Sequence, residues 1–243
     1  MHLAAAAGKP NIIRVLHKFN KTLVHDWDEN SDTPLHIAAQ HGHYGCVKWL
    51  IEYGSEIDAS NTKGWTPLDC AASCGATEVC KLLLDNDAPV DATDRTKITP
   101  LHLACKGGHE ETVRLLLANE ADCGHVDAEG RNALDYAIDY YHEECVEVLL
   151  RSPQWEVCLA NAVKDGNTDN YITPMRKLIQ YLPDQAALVF NRCISIRTGQ
   201  QEYSLDDAPR KAFELQQLSA KFKFDFMDDD YHITDWDKTE GPW

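Results

Sequence analysis

The sequence has no long apolar run and few basic residues. Its continuous apolar stretches are short, for example residues 115–118, whereas a membrane-spanning helix needs about 18 or more apolar residues. Lys and Arg number 23 against 39 Asp and Glu, which gives a net charge of −16. Because this charge repels phosphate backbones and anionic lipid, we expect no nucleic-acid partner and no membrane contact by these residues.

The sequence also lacks the usual enzyme and metal motifs. None of its nine cysteines has CxxC spacing, and no histidine completes a zinc set with Cys70, Cys74 and Cys80. There is no glycine-rich phosphate loop or nucleophile elbow. The run at residues 228–230 could bind a hard cation, although a solvated acidic surface is favoured. We expect no enzyme, no metal and no cofactor. An odd cysteine count without a secretory signal predicts reduced thiols in a soluble, cytoplasmic chain.

What the sequence does contain is a repeat of 33 residues. The motif Thr-Pro-Leu-His or Thr-Pro-Leu-Asp begins at Thr33, Thr66 and Thr99, and a degenerate copy begins at Asn132. A pair of small residues, a glycine in most copies and a second apolar run follow each motif. A period of this length is typical of stacked repeats, which bury their faces only against neighbours.

The chemistry of the repeat predicts two helices per copy. Thr can cap the first helix and Pro fits its first turn, while the glycine allows the left-handed residue that ends it. We therefore predict an all-α solenoid over residues 1–150, with inner helices near 34–41, 67–74, 100–107 and 133–140. The residues predicted to have structural roles are Thr33, Pro34, His36, Thr66, Pro67, Thr99, Pro100 and His102. Asp69 and Asp135 occupy the histidine position in the other copies, which argues against catalysis there.

The pattern resembles ankyrin repeats. Residues 1–5 and Gly8 align with residues 35–39 and Gly42, so the first copy lacks its Thr-Pro turn and four further copies follow. An interior-type copy at this position favours a piece of a longer array. In ankyrin repeats the turn tips and the inner-helix face are the usual protein-binding surface. The resemblance implies binding positions at Asp32, Gln40, Trp65, Ile98, Lys106 and Arg131. Trp65 and Ile98 either contact a partner or pack against a neighbouring loop.

Beyond residue 150 the repeat pattern stops. We predict helices at residues 174–182 and 183–196, a possible helix around 151–159 and a short one at 213–218. The segment 164–170 reads as a polar loop, and strict alternation over residues 221–226 predicts a β-strand. The predicted regions are thus repeats over 1–150, a small helical linker with a short strand over 151–227, and an acidic tail over 228–243.

The linker resembles that of TRPA-type cation channels. The resemblance rests on Arg151-Ser152 followed by Trp155 and Cys158, on Ile-Gln-Tyr-Leu-Pro-Asp at residues 179–184, and on Cys193. It implies a cytosolic portion of a homotetrameric calcium or cation channel at the plasma membrane. This portion would act in protein interaction, assembly and gating, and the membrane would be reached only through a further C-terminal region. The alternative is a free-standing soluble adaptor that binds protein partners.

Electrophile-sensing members of that family use cysteines in the linker. The position before Pro174 is Thr173, and the position after the Leu-Pro-Asp sequence is Gln185, so two family thiols are replaced. Cys193 and Cys158 remain as candidate reactive thiols. Glu156 would raise the pKa of Cys158 if the two approach, whereas Cys193 follows Arg192 and is the better candidate. The resemblance therefore predicts a weak response to electrophiles.

Overall fold

The computed structural model describes residues 1–164 and 171–198, whose regular secondary structure is almost wholly helical. The first ten helices form five consecutive pairs. They are α1 (His2–Ala6) and α2 (Pro10–Phe19), α3 (Pro34–Gln40) and α4 (Tyr44–Glu52), α5 (Pro67–Ser73) and α6 (Thr77–Leu84), α7 (Pro100–Gly107) and α8 (Glu110–Ala118), and α9 (Ala133–Asp139) and α10 (Glu143–Arg151). A 3-10 helix at Lys21–Val24 follows α2. The four predicted inner helices are confirmed to within about one residue at their ends.

The pairs stack into two layers. Each first helix packs on the first helix of the next pair, which builds an inner layer, and the second helices build an outer layer in the same way. In the core between the layers, four of the five repeats place a fully buried leucine at the same position of the inner helix: Leu35, Leu68, Leu101 and Leu134. Alanines behind them, such as Ala38 and Ala71, let adjacent inner helices approach closely. The predicted all-α solenoid is confirmed.

Local chemistry sets the helix ends. The Thr33 side chain accepts a hydrogen bond from the backbone N–H of His36, and Pro34 occupies the first turn. The inner helices then end at a residue in the left-handed region, for instance Gly108 with φ of 72°. In the degenerate copy Tyr141 holds this conformation with φ of 59°, where a side chain is strained.

Three further helices follow the pairs: α11 (Trp155–Leu159), α12 (Pro174–Tyr181) and α13 (Pro183–Thr198). Two short strands, β1 (Val163–Lys164) and β2 (Tyr171–Ile172), pair antiparallel around the segment predicted as a loop, and the sequence did not indicate them. The helices predicted at 174–182 and 183–196 correspond to α12 and α13. The strand predicted at 221–226, the helix at 213–218 and the acidic tail lie outside the described residues.

The last helix pair continues both layers of the stack. Helix α12 packs on α9 and α13 packs on α10, as in the preceding repeats. Thr173 accepts a hydrogen bond from the N–H of Arg176, and Pro174 follows it, which repeats the start of the inner helices. The division of the chain at residue 150 into separate regions remains a prediction.

Candidate functional site: the finger loops and inner helices

Four similar loops, which we call the fingers, connect one repeat to the next at residues 28–32, 61–65, 94–98 and 127–131. In each finger the first residue's N–H donates to the last residue's carbonyl, at 3.1, 3.0, 3.1 and 2.9 Å respectively. The side chain of the first residue, Asp or Asn, accepts two further backbone N–H groups; for example, Asp94 accepts those of Thr96 and Ile98. Such Asx turns hold each finger without help from a partner.

Neighbouring fingers are also joined to each other. The backbone N–H of Thr62 donates to Asn30 O at 2.9 Å, and that of Ala128 donates to Thr96 O at 2.8 Å. The Trp65 indole N–H donates to the Asp94 carboxylate of the next finger at 3.3 Å. The fingers therefore form one preorganised edge.

The histidines of the motif act as links between repeats. The His36 Nδ1 accepts the Thr33 N–H at 3.1 Å, so its Nε2–H donates to Trp65 O in the next finger at 3.0 Å. His102 makes the same pair of bonds with Thr99 and Arg131 O. These side chains are buried and bonded to protein, which favours the predicted structural role.

A second set of histidines links backwards. His43, His109 and His142 precede the outer helices, and each Nε2 bonds a carbonyl at the end of the preceding inner helix, at 3.0, 3.1 and 3.1 Å. The repeat at residues 66–98 has neither link, because Asp69 and Ala76 occupy both histidine positions.

The six predicted binding positions divide into three kinds. Gln40 and Lys106 are exposed at the C-terminal ends of the inner helices α3 and α7, and we call the surface between these helix ends and the fingers the groove. Trp65 and Ile98 are half-buried, and Trp65 packs on the next finger, so the packing alternative describes it well. Asp32 accepts a bond from Asn61, and Arg131 is paired with Asp127 and Glu129. Their roles in binding remain predictions.

Sequence reasoning missed two exposed residues on the same edge. Trp27, with 69% of its surface exposed, and Val126, with 38%, each directly precede the first residue of a finger. The 33-residue register would have found this position, which Ser60 and Thr93 occupy in the middle repeats. Large exposed aromatic residues are common anchors in protein interfaces.

Aromatic and cationic side chains contact one another along α9, from the last finger to the end of the helix. The Arg131 guanidinium lies 4.6 Å from the centre of the Tyr136 ring, and the Lys106 amine lies 5.7 Å from that of Tyr140. Tyr136 and Tyr140 stack with centroids 6.4 Å apart, and Tyr140 is exposed. Lys106 and Tyr140 are therefore open to solvent, while the buried Tyr136 ring supports them from below.

The candidate thiols are not exposed. Cys158 is fully buried, and a hydrogen bond to the sulfur of Cys123, together with burial, raises its pKa. The sequence suggested Glu156 as the residue that would raise the pKa of Cys158, but the neighbour that raises it is Cys123. Cys193 is half-buried at the edge of the core. Their reactivity stays a prediction.

Residues 1–164 and 171–198 lack two further features. No group of three His, Cys, Asp or Glu residues there is placed to hold a metal ion. None of the helices in that part of the chain combines the length and apolar character that a membrane crossing requires.

A stacked-helix scaffold with preorganised loops along one edge defines a class of binding protein. The chain belongs to the ankyrin-repeat family, whose model, described as ankyrin repeats, matches residues 1–94 and 88–161 in three copies. Proteins of this family commonly bind other proteins, so the expected partners of this chain are proteins.

Similarity to individual proteins is confined to short segments. The chain is 37% identical over 54 residues to alpha-latrotoxin-Lt1a of Latrodectus tredecimguttatus, covering 22% of this chain and 4% of the toxin. It is 38% identical over 64 residues to mouse protein phosphatase 1 regulatory subunit 27 (Mus musculus), covering 26% and 41%. With mouse synphilin-1 it shares 30% identity over 67 residues, covering 26% and 7%. None of these three names denotes a TRPA-type channel.

Proposed function

We propose that this chain is a protein-binding module whose partner lies along the fingers and the exposed ends of the inner helices. The observation that carries the proposal is the preorganised edge: every finger is held by its own Asx turn, Trp27 is exposed beside the first finger, and Gln40, Lys106 and Tyr140 are exposed at the C-terminal ends of the inner helices that begin at the fingers. Because the fingers are already ordered, binding costs little conformational entropy there.

Site-specific photo-crosslinking tests this proposal. A photoreactive residue at Gln40 or Lys106 lies on the groove, whereas one at Lys81 lies on the last turn of the outer helix α6. In an extract of the source cells, Gln40 and Lys106 should capture the same protein and Lys81 should not. The purified partner should then lose affinity about tenfold or more when Trp27 is replaced by Ala. Capture from Lys81 alone would contradict the proposed surface.

A more specific role is suggested by the linker resemblance. In this proposal the chain is the cytosolic ankyrin and linker portion of a TRPA-type cation channel, at the cytoplasmic face of the plasma membrane, within a homotetramer. The observation in its favour is that α12 and α13, which carry much of the resemblance, pack directly on the last repeat. A rigid junction of this kind could transmit movement of the repeats toward a pore.

The sequence of the full-length transcript distinguishes the channel from the adaptor. Six hydrophobic spans encoded after residue 243 would support the channel, and their absence would favour a free-standing adaptor that binds protein partners. For the channel, brief iodoacetamide treatment at neutral pH should label Cys158 and Cys193 slowly. Alkylation of either thiol much faster than a free thiol would contradict the predicted weak response to electrophiles.

A further inference from the structure

Charge is unevenly distributed over the fingers. The middle fingers, at residues 61–65 and 94–98, carry Lys63, Arg95 and Lys97 against the single carboxylate of Asp94. The first finger, at residues 28–32, carries three acidic residues and no basic one. A chain of net charge −16 thus presents a local basic surface on the edge where a partner is proposed to bind.

Three basic residues, Lys63, Arg95 and Lys97, lie in the middle fingers, and together with Lys106 near the end of α7 we call them the basic strip. All four are exposed. Within the described residues none of them forms an ion pair, unlike Arg114, Arg131 and Arg151. The amine of Lys63 lies 4.9 Å from the centre of the Trp65 ring, so apolar surface accompanies the charge. The strip therefore fits a segment that alternates acidic and aromatic residues.

The chain itself contains such a segment. Residues 224–237, here called the acidic segment, read Phe-Asp-Phe-Met-Asp-Asp-Asp-Tyr-His-Ile-Thr-Asp-Trp-Asp. It carries six aspartates, no Lys or Arg, and four aromatic residues of the Phe, Tyr and Trp type. Its charge and its aromatic residues complement those of the basic strip.

The path of the chain makes this contact reachable. Gln185 bonds Glu143 at the start of α10, and Arg192 bonds Leu150 O near its end, so α13 runs parallel to α10. Outer helices such as α8 lead toward the fingers, and α13 therefore ends on the finger side. About 25 residues, 199–223, then precede the acidic segment. For comparison, a random coil of about 25 residues has an average end-to-end distance of about 25–30 Å, similar to three inner-helix spacings of about 10 Å.

We propose that the acidic segment binds the basic strip within the same molecule and so occupies the protein-binding surface. This inference rests on the proposed function, because it assigns the groove an internal competitor. Linkage through about 25 residues gives the segment a high effective concentration, so that even weak ion pairs are well populated. A partner that binds the fingers must displace the segment, and salt should weaken the internal contact.

Zero-length carbodiimide crosslinking of the full chain tests the contact. The reagent joins amines to carboxylates, and mass spectrometry identifies the pairs. We expect Lys63, Lys97 or Lys106 to be joined to aspartates of the acidic segment, at a yield unchanged by tenfold dilution and reduced at high salt. Crosslinks of the segment spread equally over Lys48 and Lys81 on the outer helices, or a yield that falls with dilution, would overturn the proposal.

Charge variants of the full chain supply the second measurement. Replacing the six aspartates by asparagine should increase photo-capture of a partner from Gln40 severalfold, and so should Lys63→Gln with Lys97→Gln if the partner does not use those lysines. The matched control, Lys48→Gln with Lys81→Gln, should leave the crosslinking unchanged. Partner capture without segment crosslinks would remove this inference and leave the binding function standing. Segment crosslinks in the native chain, with no partner captured even by the variant that lacks the six aspartates, would leave the internal contact standing and remove the binding function.

Discussion

At the scale of single residues, the interior histidines hold the neutral form. Their Nδ1 atoms accept a backbone N–H, so protonation would break that bond as well as place a charge in the core. Burial lowers the pKa of His36, and it lowers that of His102 to about 4. The unfolded chain, with a histidine pKa near 6.5, binds the proton more readily than the folded one.

The first prediction concerns His102 and pH. Its contribution should be fully present above pH 6.5 and should fall as the pH drops toward 4, by up to about 3 kcal/mol. Chemical denaturation at a series of pH values should show a shallower slope in this window for His102→Gln than for the native chain. His25→Gln, at an exposed side chain, should keep the native slope. An unchanged slope in the His102 variant would mean that this residue does not titrate on unfolding.

Asp69 occupies the equivalent position in α5, and the pH dependence of stability that it causes has the opposite direction to that of His102. It is fully buried; Thr66 donates to its Oδ2, whereas its Oδ1 has no hydrogen-bond partner in the described structure. Burial raises the pKa of Asp69 to about 7, despite the bonds from Thr66. A folded-state pKa above the unfolded value of about 4 means that stability is lost as the pH rises from 4 to 7.

The second prediction follows from that sign. Asp69→Asn should raise the free energy of unfolding, relative to the native chain, more at pH 8 than at pH 4. The effect of the substitution at pH 8 should exceed that at pH 4 by up to about 4 kcal/mol. Denaturation at the two pH values measures this. The exposed Asp85→Asn variant should show no comparable change. Equal effects of Asp69→Asn at both pH values would show that the buried carboxyl is not the titrating group.

At the scale of elements, a buried ion pair joins the last helix pair to the repeats. The Lys177 amine of α12 lies 2.9 Å from the carboxylates of both Asp135 and Asp139 on α9. Burial opposes the charge on Lys177, but the two carboxylates raise its pKa. Asp135, which replaces the motif histidine, also accepts bonds from Asn161 and Asn132. Asp135 therefore bonds to α12, whereas the histidine at the same position in α3 and α7 bonds to the next finger.

The third prediction is that Lys177→Met destabilises the junction by about 3–5 kcal/mol, because it leaves Asp135 charged and buried. Chemical denaturation should show this loss, and hydrogen exchange should speed up over residues 174–182. The double variant Lys177→Met with Asp135→Asn should recover much of it. Arg151→Met removes an exposed pair with Glu147 and should cost no more than about 0.5 kcal/mol. Similar costs for Lys177→Met and Arg151→Met would refute the role of burial.

Local signals made the helices predictable, whereas the contacts between distant segments were not. The Thr-Pro starts of the inner helices depend on neighbouring residues, and all were found from the sequence. The bond from Trp65 to Asp94 depends on how two fingers lie together, so Trp65 could be read only as exposed or packed. The Lys177 contact was hidden because residues 151–172 interrupt the 33-residue register before Thr173. Trp27 was detectable by register alone, but its exposure was not.

At the scale of the whole molecule, residues 1–19 present a face that the other repeats cover. Leu3 is 87% exposed, whereas at the equivalent position Ile37 is half-buried and Cys70, Leu103 and Tyr136 are 4%, 5% and 3% exposed. Ile12 is 49% exposed, while the equivalent Cys46 and Val79 are at most 1% exposed. Phe19 adds further exposed apolar surface. The faces that hold the stack together elsewhere are therefore open here.

The final prediction is that this open face makes the isolated chain associate or exchange rapidly at its N-terminal end. Covering this apolar patch in a complex stabilises the complex by about 25 cal/mol for each Å² of apolar surface buried. Sedimentation velocity should show concentration-dependent association of the native chain. Leu3→Glu with Ile12→Lys should abolish it, whereas Val157→Lys, at a similarly exposed valine on α11, should not. In dilute monomer, amides of residues 4–16 should exchange early, since only one side of this repeat is packed. A monomer at all concentrations with strong protection of residues 4–16 would show that the first repeat is stable without a neighbour on that side.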